Sequence, residues 1–294
     1  MTRVLLIGAN GQLGTDLLTV LSRANKVVFP ILHSTCDVCN AAQVEELLDA
    51  YKPDCVISTA ALHKVEECER NPIRTFEVNA TGALNLARTT RRLGAVLVYF
   101  STDYVFGGDK CLPYDELDRP APLNVYGVSK VAGELLVTCT TDRFFIVRTT
   151  GLYGYAGSSG KGGNFVETML QKASEGVPIR VVNDQTLTPT STLDLAEVVQ
   201  RLIESDAFGL YHATSEGECS WYDFARQIFA LQKLGVDLAP ATAADFPSAV
   251  RRPSYSVLSK TRLNSIGLFM PPWQASLERY LYGRLHKLTS VASG

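Results

Sequence analysis

The chain has 294 residues, 46% apolar and 20% charged, an ordinary globular composition long enough to bury a core without disulfide or metal staples. With 28 Lys+Arg against 30 Asp+Glu the net charge is −2. That argues against a surface built to wrap nucleic acid, but leaves room for an anionic small molecule in a local basic pocket. No apolar run approaches the ~18–20 residues that cross a bilayer, and residues 4–7 are too short for a signal-peptide core, so a soluble cytoplasmic protein with no membrane partner is expected.

The first half alternates strands and helices. A β-rich run covers residues 3–8, followed by a helix over 12–23 with Leu13, Leu17, Leu18 and Leu21 at helical spacing. A strand is expected at 26–32, a helix at 41–51 (Val44, Leu47, Leu48), a strand at 54–58 and one long helix at 72–93. A strand at 95–101, a helix at 124–138 and a strand at 143–149 complete the series. The strands read as continuous apolar runs, the mark of strands buried on both faces. Such alternation predicts a parallel sheet with right-handed crossovers.

Beyond residue 150 the pattern is less regular. A glycine-rich loop occupies 153–163, helices are expected at 164–175, 191–204 and 220–234, and 240–255 reads as loop. A last helix is expected at 273–285, and 289–294, small and polar, reads as disordered. Of the seven cysteines only Cys36 and Cys39 are close in sequence. An odd count with no secretory signal argues against a disulfide framework. The four histidines are scattered, so no metal site is expected and the cysteine pair reads as two incidental thiols.

Gly8-Ala9-Asn10-Gly11-Gln12-Leu13-Gly14 follows the first strand and opens the first helix. A dinucleotide fingerprint belongs at that place: glycines let the backbone turn and approach a pyrophosphate, and amides at the helix N-terminus bind its oxygens. The spacing is G-x-x-G-x-x-G rather than G-x-G-x-x-G. The acid that usually ends the second strand and holds the adenosine ribose is missing. Residues 27–35 offer only His33 as a cation and no well-placed Arg, so NADPH and NADH both remain open. Asp37 either faces the adenine or caps the next helix. The expected fold is α/β: a Rossmann-type doubly wound parallel sheet (dinucleotide region 1–150) with a smaller mixed C-terminal substrate-binding lobe (mostly 151–294), the two interleaved.

Tyr126 and Lys130 stand one helical turn apart on one face. A phenol is a poor acid–base group near neutrality unless a cation stabilises its anion; a lysine one turn away supplies that field and can hold a nicotinamide ribose. Ser101-Thr102-Asp103 ends the preceding strand at the carboxyl edge of the sheet, where ligands of open α/β sheets bind, and Thr102 could donate a hydrogen bond to a substrate oxygen. Thr102, Tyr126 and Lys130 are the candidate catalytic set.

These motifs, in this order, resemble the extended short-chain dehydrogenase/reductases. Finer stretches are similar to one branch, the dTDP-4-dehydrorhamnose reductases: Ser101 to Phe106, Ala121 to Gly127, Asn183-Asp184-Gln185, Trp221 to Ala225, and Arg251-Arg252-Pro253. The resemblance implies NAD(P)H-dependent reduction of the C4 ketone of dTDP-4-dehydro-L-rhamnose to dTDP-L-rhamnose, with a nucleotide-sugar substrate. It implies cofactor contacts at Gly8, Asn10, Gly11, Gln12, Leu13, Gly14, Asp37, Val38, Ala60, Ala61, Tyr126 and Lys130, and substrate contacts at Thr102, Asp103 and Arg252. The chain departs from the pattern at Pro30, at Leu62-His63-Lys64-Val65, and at Gly151, where some members place a Trp against the sugar; Gly151 reads as a gap for a different substrate or for the loop 154–163.

Other readings stay open at this point. A sugar-nucleotide 4-epimerase could use the same Thr, Tyr and Lys. A non-catalytic subunit resembling the regulatory subunit of methionine adenosyltransferase could retain them. A 4,6-dehydratase would need an acid after Asp103, where Tyr104 stands. Trp221, Tyr222 and Phe224 read as core rather than as a base-stacking platform. His63 is expected near the cofactor cleft, and Asn79 either supports Lys130 or makes a plain helix-face bond. The sequence allows a homodimer.

Overall fold

A computed structural model of the protein describes all residues except 158–162, 247, 249, 293 and 294, and for 285–292 it describes the backbone only. Five strands come from the first half: β1 (Arg3–Ile7), β2 (Val27–Ile31), β3 (Cys55–Ser58), β4 (Val96–Thr102) and β5 (Phe144–Thr149). Between them lie α1 (Gln12–Arg23), α2 (Ala41–Tyr51), α3 (Val65–Arg70), α4 (Pro72–Phe76), α5 (Gly82–Leu93) and α6 (Val125–Thr140). The second half adds β6 (Leu152–Tyr153), α7 (Phe165–Ser174), β7 (Ile179–Val182), β8 (Thr186–Leu187), β9 (Thr190–Ser191), α8 (Thr192–Leu202) and β10 (Gly209–His212). It ends with β11 (Cys219–Ser220), α9 (Trp221–Leu231), β12 (Leu238–Ala241), α10 (Thr261–Ser265) and α11 (Trp273–Ala292).

Six strands form one sheet in the order β10-β5-β4-β3-β1-β2, every pairing parallel. Alternate side chains divide the continuous apolar strands between two cores. Val4, Leu6, Ile57, Val98 and Phe145 pack on Leu17 and Leu21 of α1 and Leu195 and Val199 of α8. Leu5, Ile7, Val56, Leu97 and Ile146 face Val44 and Leu48 of α2, Leu86 of α5 and Val137 of α6. Helices cover both faces, as expected of a doubly wound sheet. The sixth strand and α8 come from beyond residue 150, so the two halves of the chain interleave.

The second lobe has its own core of Val166, Ile179, Phe224, Ile228, Trp273 and Leu277. It is built on short two-stranded sheets, β12 with β7, β11 with β8 and β6 with β9. Among the described residues no helix is long and apolar enough to cross a membrane.

Four expectations change. The long helix 72–93 is interrupted by a π-helical turn over Glu77–Thr81. That turn points the Asn79 side chain at the loop after β3, where its amide bonds both the N–H and the C=O of Leu62. Helix α3 was not foreseen, because a run with only Val65 and Cys68 apolar is too short to show a period. Residues 240–255 include the end of β12, which pairs with β7, and a helical turn at Ala243–Asp245. Helix α11 runs through Ala292 rather than stopping at 285, since no Gly or Pro intervenes to end it; of the tail 289–294 expected to be disordered, 289–292 are helical and 293–294 lie outside the described residues.

Candidate active site

A cavity of about 890 Å³ crosses the carboxyl edge of the sheet and continues under the second lobe. It begins where the strand order reverses between β2, β1 and β3, the place at which open α/β sheets bind ligands. Gly8 has φ +79°, and a Cβ there would lie 2.4 Å from Thr59 Oγ1, so only glycine fits the turn. Thr59 locks the neighbouring loop in place by donating to the carbonyls of Ile7 and Gly8 at 3.0 Å. Gly11 caps α1 without a side-chain hydrogen bond, which leaves the first amides of the helix for an anion. Asn10, Gly11, Gln12 and Leu13 line the cleft.

Gly14 does not. A Cβ on Gly14 would lie 2.1 Å from the Gly8 carbonyl oxygen, so this glycine lets the helix pack closely on the turn after β1.

Asp37, Val38, Ala60, Ala61 and His63 line the cleft beyond the glycine loop. Asn40 caps α2, accepting from Gln43 N at 3.2 Å, so Asp37 is free of that role. Its carboxylate takes Cys39 N at 3.0 Å and pairs with Arg74 Nη2 at 3.1 Å, bonds that hold it below the usual carboxylate range. Arg74 itself lines the cleft with His33. The expectation that no arginine stands near the adenosine end is therefore corrected: helix α4 delivers one from 37 residues away in sequence. Burial raises the thiols of Cys36 and Cys39, the latter to about 11, the opposite of what a reactive dithiol needs.

Helix α6 supplies the catalytic candidates, and two glycines let it approach. A Cβ on Gly127 would lie 2.2 Å from the Tyr104 carbonyl oxygen, and one on Gly133 2.2 Å from the Tyr99 hydroxyl. Asn124 caps the helix through Gly127 N at 2.9 Å and ties it to the second lobe by donating to the Arg251 carbonyl. Asn79 donates to Ser129 Oγ at 2.9 Å and so braces α6 against the loop after β3.

Thr102, Tyr126 and Lys130 share one wall of the cleft. Burial raises the Tyr126 phenol well above the ordinary phenol range, with the Thr102 hydroxyl pulling weakly the other way. The Lys130 ammonium lies 3.9 Å from the centre of the Tyr99 ring, and Tyr99 OH donates to the Asn79 carbonyl at 2.8 Å. Burial lowers Lys130 to about 7, against the pull of Glu134 one turn further on. Glu134 is held by both arms of Arg148 at 2.8 and 2.7 Å. Asp103, 3% exposed, accepts from Thr102 at 3.1 Å and Ser256 at 2.6 Å.

The lobe side of the cleft is formed by Asn164, Phe165, Thr168, Gln185, Thr186, Leu187 and Trp221. Trp221 packs tilted against Phe165, with ring centres 4.5 Å apart, and faces the cleft, whereas Phe224 is fully buried. Trp221 thus packs against the core of the second lobe, as its sequence suggests, and also lines the cleft. Gly151 has φ +58°, and a Cβ there would lie 2.9 Å from Leu187 Cδ1 and 3.1 Å from Pro189 Cα. Leu187 fills the space on the side-chain face of Gly151, while half of the loop that was its other candidate occupant, 158–162, lies outside the described residues. Asn183 accepts from Ser220 Oγ and Asp184 from Ala243 N, so these motif residues brace the lobe. Arg252 sits at the rim, ion-paired with Glu66.

A dinucleotide fits this chemistry. Gln12 Oε1, Ser101 Oγ and Thr149 Oγ1 are buried along the cleft with no protein partner among the described residues, and buried polar atoms of that kind call for a ligand or water. Arg74, Phe165, Leu187, Trp221 and Ser256 were missed as site residues because each reaches the cleft through long-range packing. Only Trp221 carried a signal, a large aromatic at a helix start.

Comparison with known proteins agrees with this geometry. The family model described as RmlD substrate binding domain matches residues 1–284. The spore coat polysaccharide biosynthesis protein SpsK of Bacillus subtilis is 38% identical, covering 97% of this chain and 98% of its own. The dTDP-4-dehydrorhamnose reductase of Escherichia coli is 35% identical, covering 95% and 96%. Among solved structures, a dTDP-4-dehydrorhamnose reductase from Bacillus anthracis in complex with NADP superposes with TM-score 0.92 at 39% identity, covering 96% of this chain and 99% of that one.

Proposed function

The chain belongs to the family of the RmlD substrate binding domain, and on that premise we propose that it reduces the C4 ketone of dTDP-4-dehydro-L-rhamnose to dTDP-L-rhamnose. The observation that carries the proposal is the meeting of Thr102, Tyr126 and Lys130 on one wall of a cleft that begins at a phosphate-binding glycine loop.

NADPH or NADH, bound along Gly8, Asn10, Gly11, Gln12, Leu13, Val38, Ala60 and Ala61, supplies the hydride. Arg74 and His33 favour NADPH, because a guanidinium and an imidazole suit a 2′-phosphate. Tyr126 gives its proton to the oxygen developing at C4; its raised pKa keeps it protonated and ready to act as the acid. Lys130 steadies the phenolate left behind and holds the nicotinamide ribose. Thr102 orients the carbonyl oxygen. Phe165 and Trp221 present an aromatic edge of the cleft to the nucleoside half of the substrate, an apolar surface suited to a flat base. Arg252 guards the rim and reaches the diphosphate when it leaves Glu66. In this reading residues 1–150 carry most of the cofactor site and 151–294 most of the substrate site.

The proposal places the reaction in the cytoplasm, where free thiols such as those of this chain stay reduced. The exposed apolar residues Val128 and Leu135 on α6 offer a face for a second copy.

The test is loss of NADPH and NADH absorbance with enzymatically generated keto-sugar nucleotide, using Tyr126→Phe as control. Turnover by the parent, and a variant that still binds NADPH but barely turns over, is the expected result. A variant as fast as the parent would remove Tyr126 from the acid role. A parent that binds cofactor yet consumes none would favour the regulatory reading.

A further inference from the structure

A threonine hydroxyl has one proton and two lone pairs. Thr102 commits its proton and one lone pair inside the protein. Its oxygen accepts from Tyr104 N at 3.2 Å, and its proton goes to Asp103 Oδ1 at 3.1 Å. The last direction is forced while Asp103 is ionised, because a carboxylate can only accept. The far oxygen of Asp103 takes Ser256 Oγ at 2.6 Å. In this arrangement Thr102 has no proton left to offer a sugar carbonyl.

We propose that Asp103 is a positioning residue that sets the direction of the Thr102 hydroxyl: ionised, it captures the Thr102 proton; protonated, it releases that proton for the oxygen at C4. The inference rests on the reductase reading and deepens it. Asp103 then acts through Thr102, with both its oxygens engaged by protein donors, rather than chiefly as a sugar contact.

Burial supports the protonated form. It raises Asp103 to about 6 despite the opposing pull of the Ser256, Thr150 and Thr102 hydroxyls, and a bound sugar excludes more water and pushes the same way. The ionisable groups facing Asp103 are Tyr126 and Lys130 from α6 and Tyr104 from the turn after β4, with the Arg252–Glu66 pair beyond Tyr104. Ser256, from the 250–258 segment, and Thr150, after β5, do not titrate.

The direct test is the carboxyl titration of Asp103 by carbon NMR on the ligand-free protein, the resonance identified by its loss in Asp103→Asn. Removing the donated bond in Thr102→Val raises the midpoint by about one unit or more. An unchanged midpoint overturns the proposal, and so does one that falls. Ser256→Ala, which removes the other donor, raises the midpoint as well and serves if Thr102→Val does not fold.

The second arm is the pH profile of turnover. The parent loses rate as pH rises through the Asp103 midpoint, and Asp103→Asn keeps turning over without that step. A step at the Asp103 midpoint that persists in Asp103→Asn, as distinct from the one Lys130 gives near 7, or a uniform loss at every pH with a raised KM, overturns the proposal. If the NMR shift holds but the parent reduces no 4-keto sugar nucleotide, the reductase reading alone falls.

Discussion

The two ends of the cleft are held by different physics. The catalytic wall is built from β4 and α6, adjacent elements whose polar groups are buried and paired: Ser129 with Asn79, Glu134 with Arg148, Asp103 with Thr102 and Ser256. At the adenosine end Arg74 joins Asp37 and Glu77 through half-exposed ion pairs, its side chain 44% accessible. Buried networks lose the full desolvation cost when one member is removed, whereas exposed ion pairs are each worth about 0–1 kcal/mol. Chemistry is thus fixed where rearrangement is costly, and cofactor preference is set where substitution is cheap.

That contrast orders the expected effects. Tyr126→Phe should lower turnover by about 10²–10⁴-fold, the usual contribution of a positioned acid, with NADPH affinity kept; steady-state kinetics beside a binding titration reads both. Gly127→Ala attacks the same wall through packing. Its new methyl meets the Tyr104 carbonyl at 2.2 Å and Pro122 Cβ at 2.9 Å, and overpacking of this kind costs about 1–3 kcal/mol. Calorimetry should show a lower thermal midpoint, and an unchanged one would mean that α6 has room to move.

Away from the wall the effects shrink and move from kcat to KM. Trp221→Ala removes the larger ring of its tilted pair with Phe165; stacking of a base on an aromatic is worth about 1–3 kcal/mol. The substrate KM should rise with the cofactor KM unchanged. A rise in both would place Trp221 in the packing of the lobe instead. Arg74→Gln should have the smallest effect, about fivefold on the NADPH KM for an exposed pair worth ~1 kcal/mol and none on NADH. Equal effects on the two cofactors would remove Arg74 from the 2′-phosphate.

What the sequence revealed follows the same division. The wall was legible because its parts are local: Gly8 to Gly14 at one strand–helix turn, Thr102 at one strand end, Tyr126 and Lys130 on one helix face. The alternating cores were legible because buried parallel strands read as unbroken apolar runs. Arg74, Phe165 and Ser256 were not legible, since each reaches the cleft only when distant segments pack together. The π-helical turn at Asn79 leaves no periodic trace, because one extra residue in a turn shifts the phase without breaking the helix. Gly14 and Gly151 show a related limit: a glycine in sequence does not say whether a ligand or a neighbouring segment needs the space, and on their side-chain faces Gly8 and Leu187 take it.

The central claim is that hydride passes from the nicotinamide to C4 of a nucleotide-linked keto sugar in this cleft. It is tested most directly with NADPH carrying deuterium on the transferred face, the product being read by mass spectrometry and proton NMR. The account predicts one deuterium per product molecule, located at C4, with one equivalent of cofactor consumed. Product without deuterium, or deuterium at another carbon with no net consumption of cofactor, would contradict it and point to an epimerase or dehydratase on the same fold.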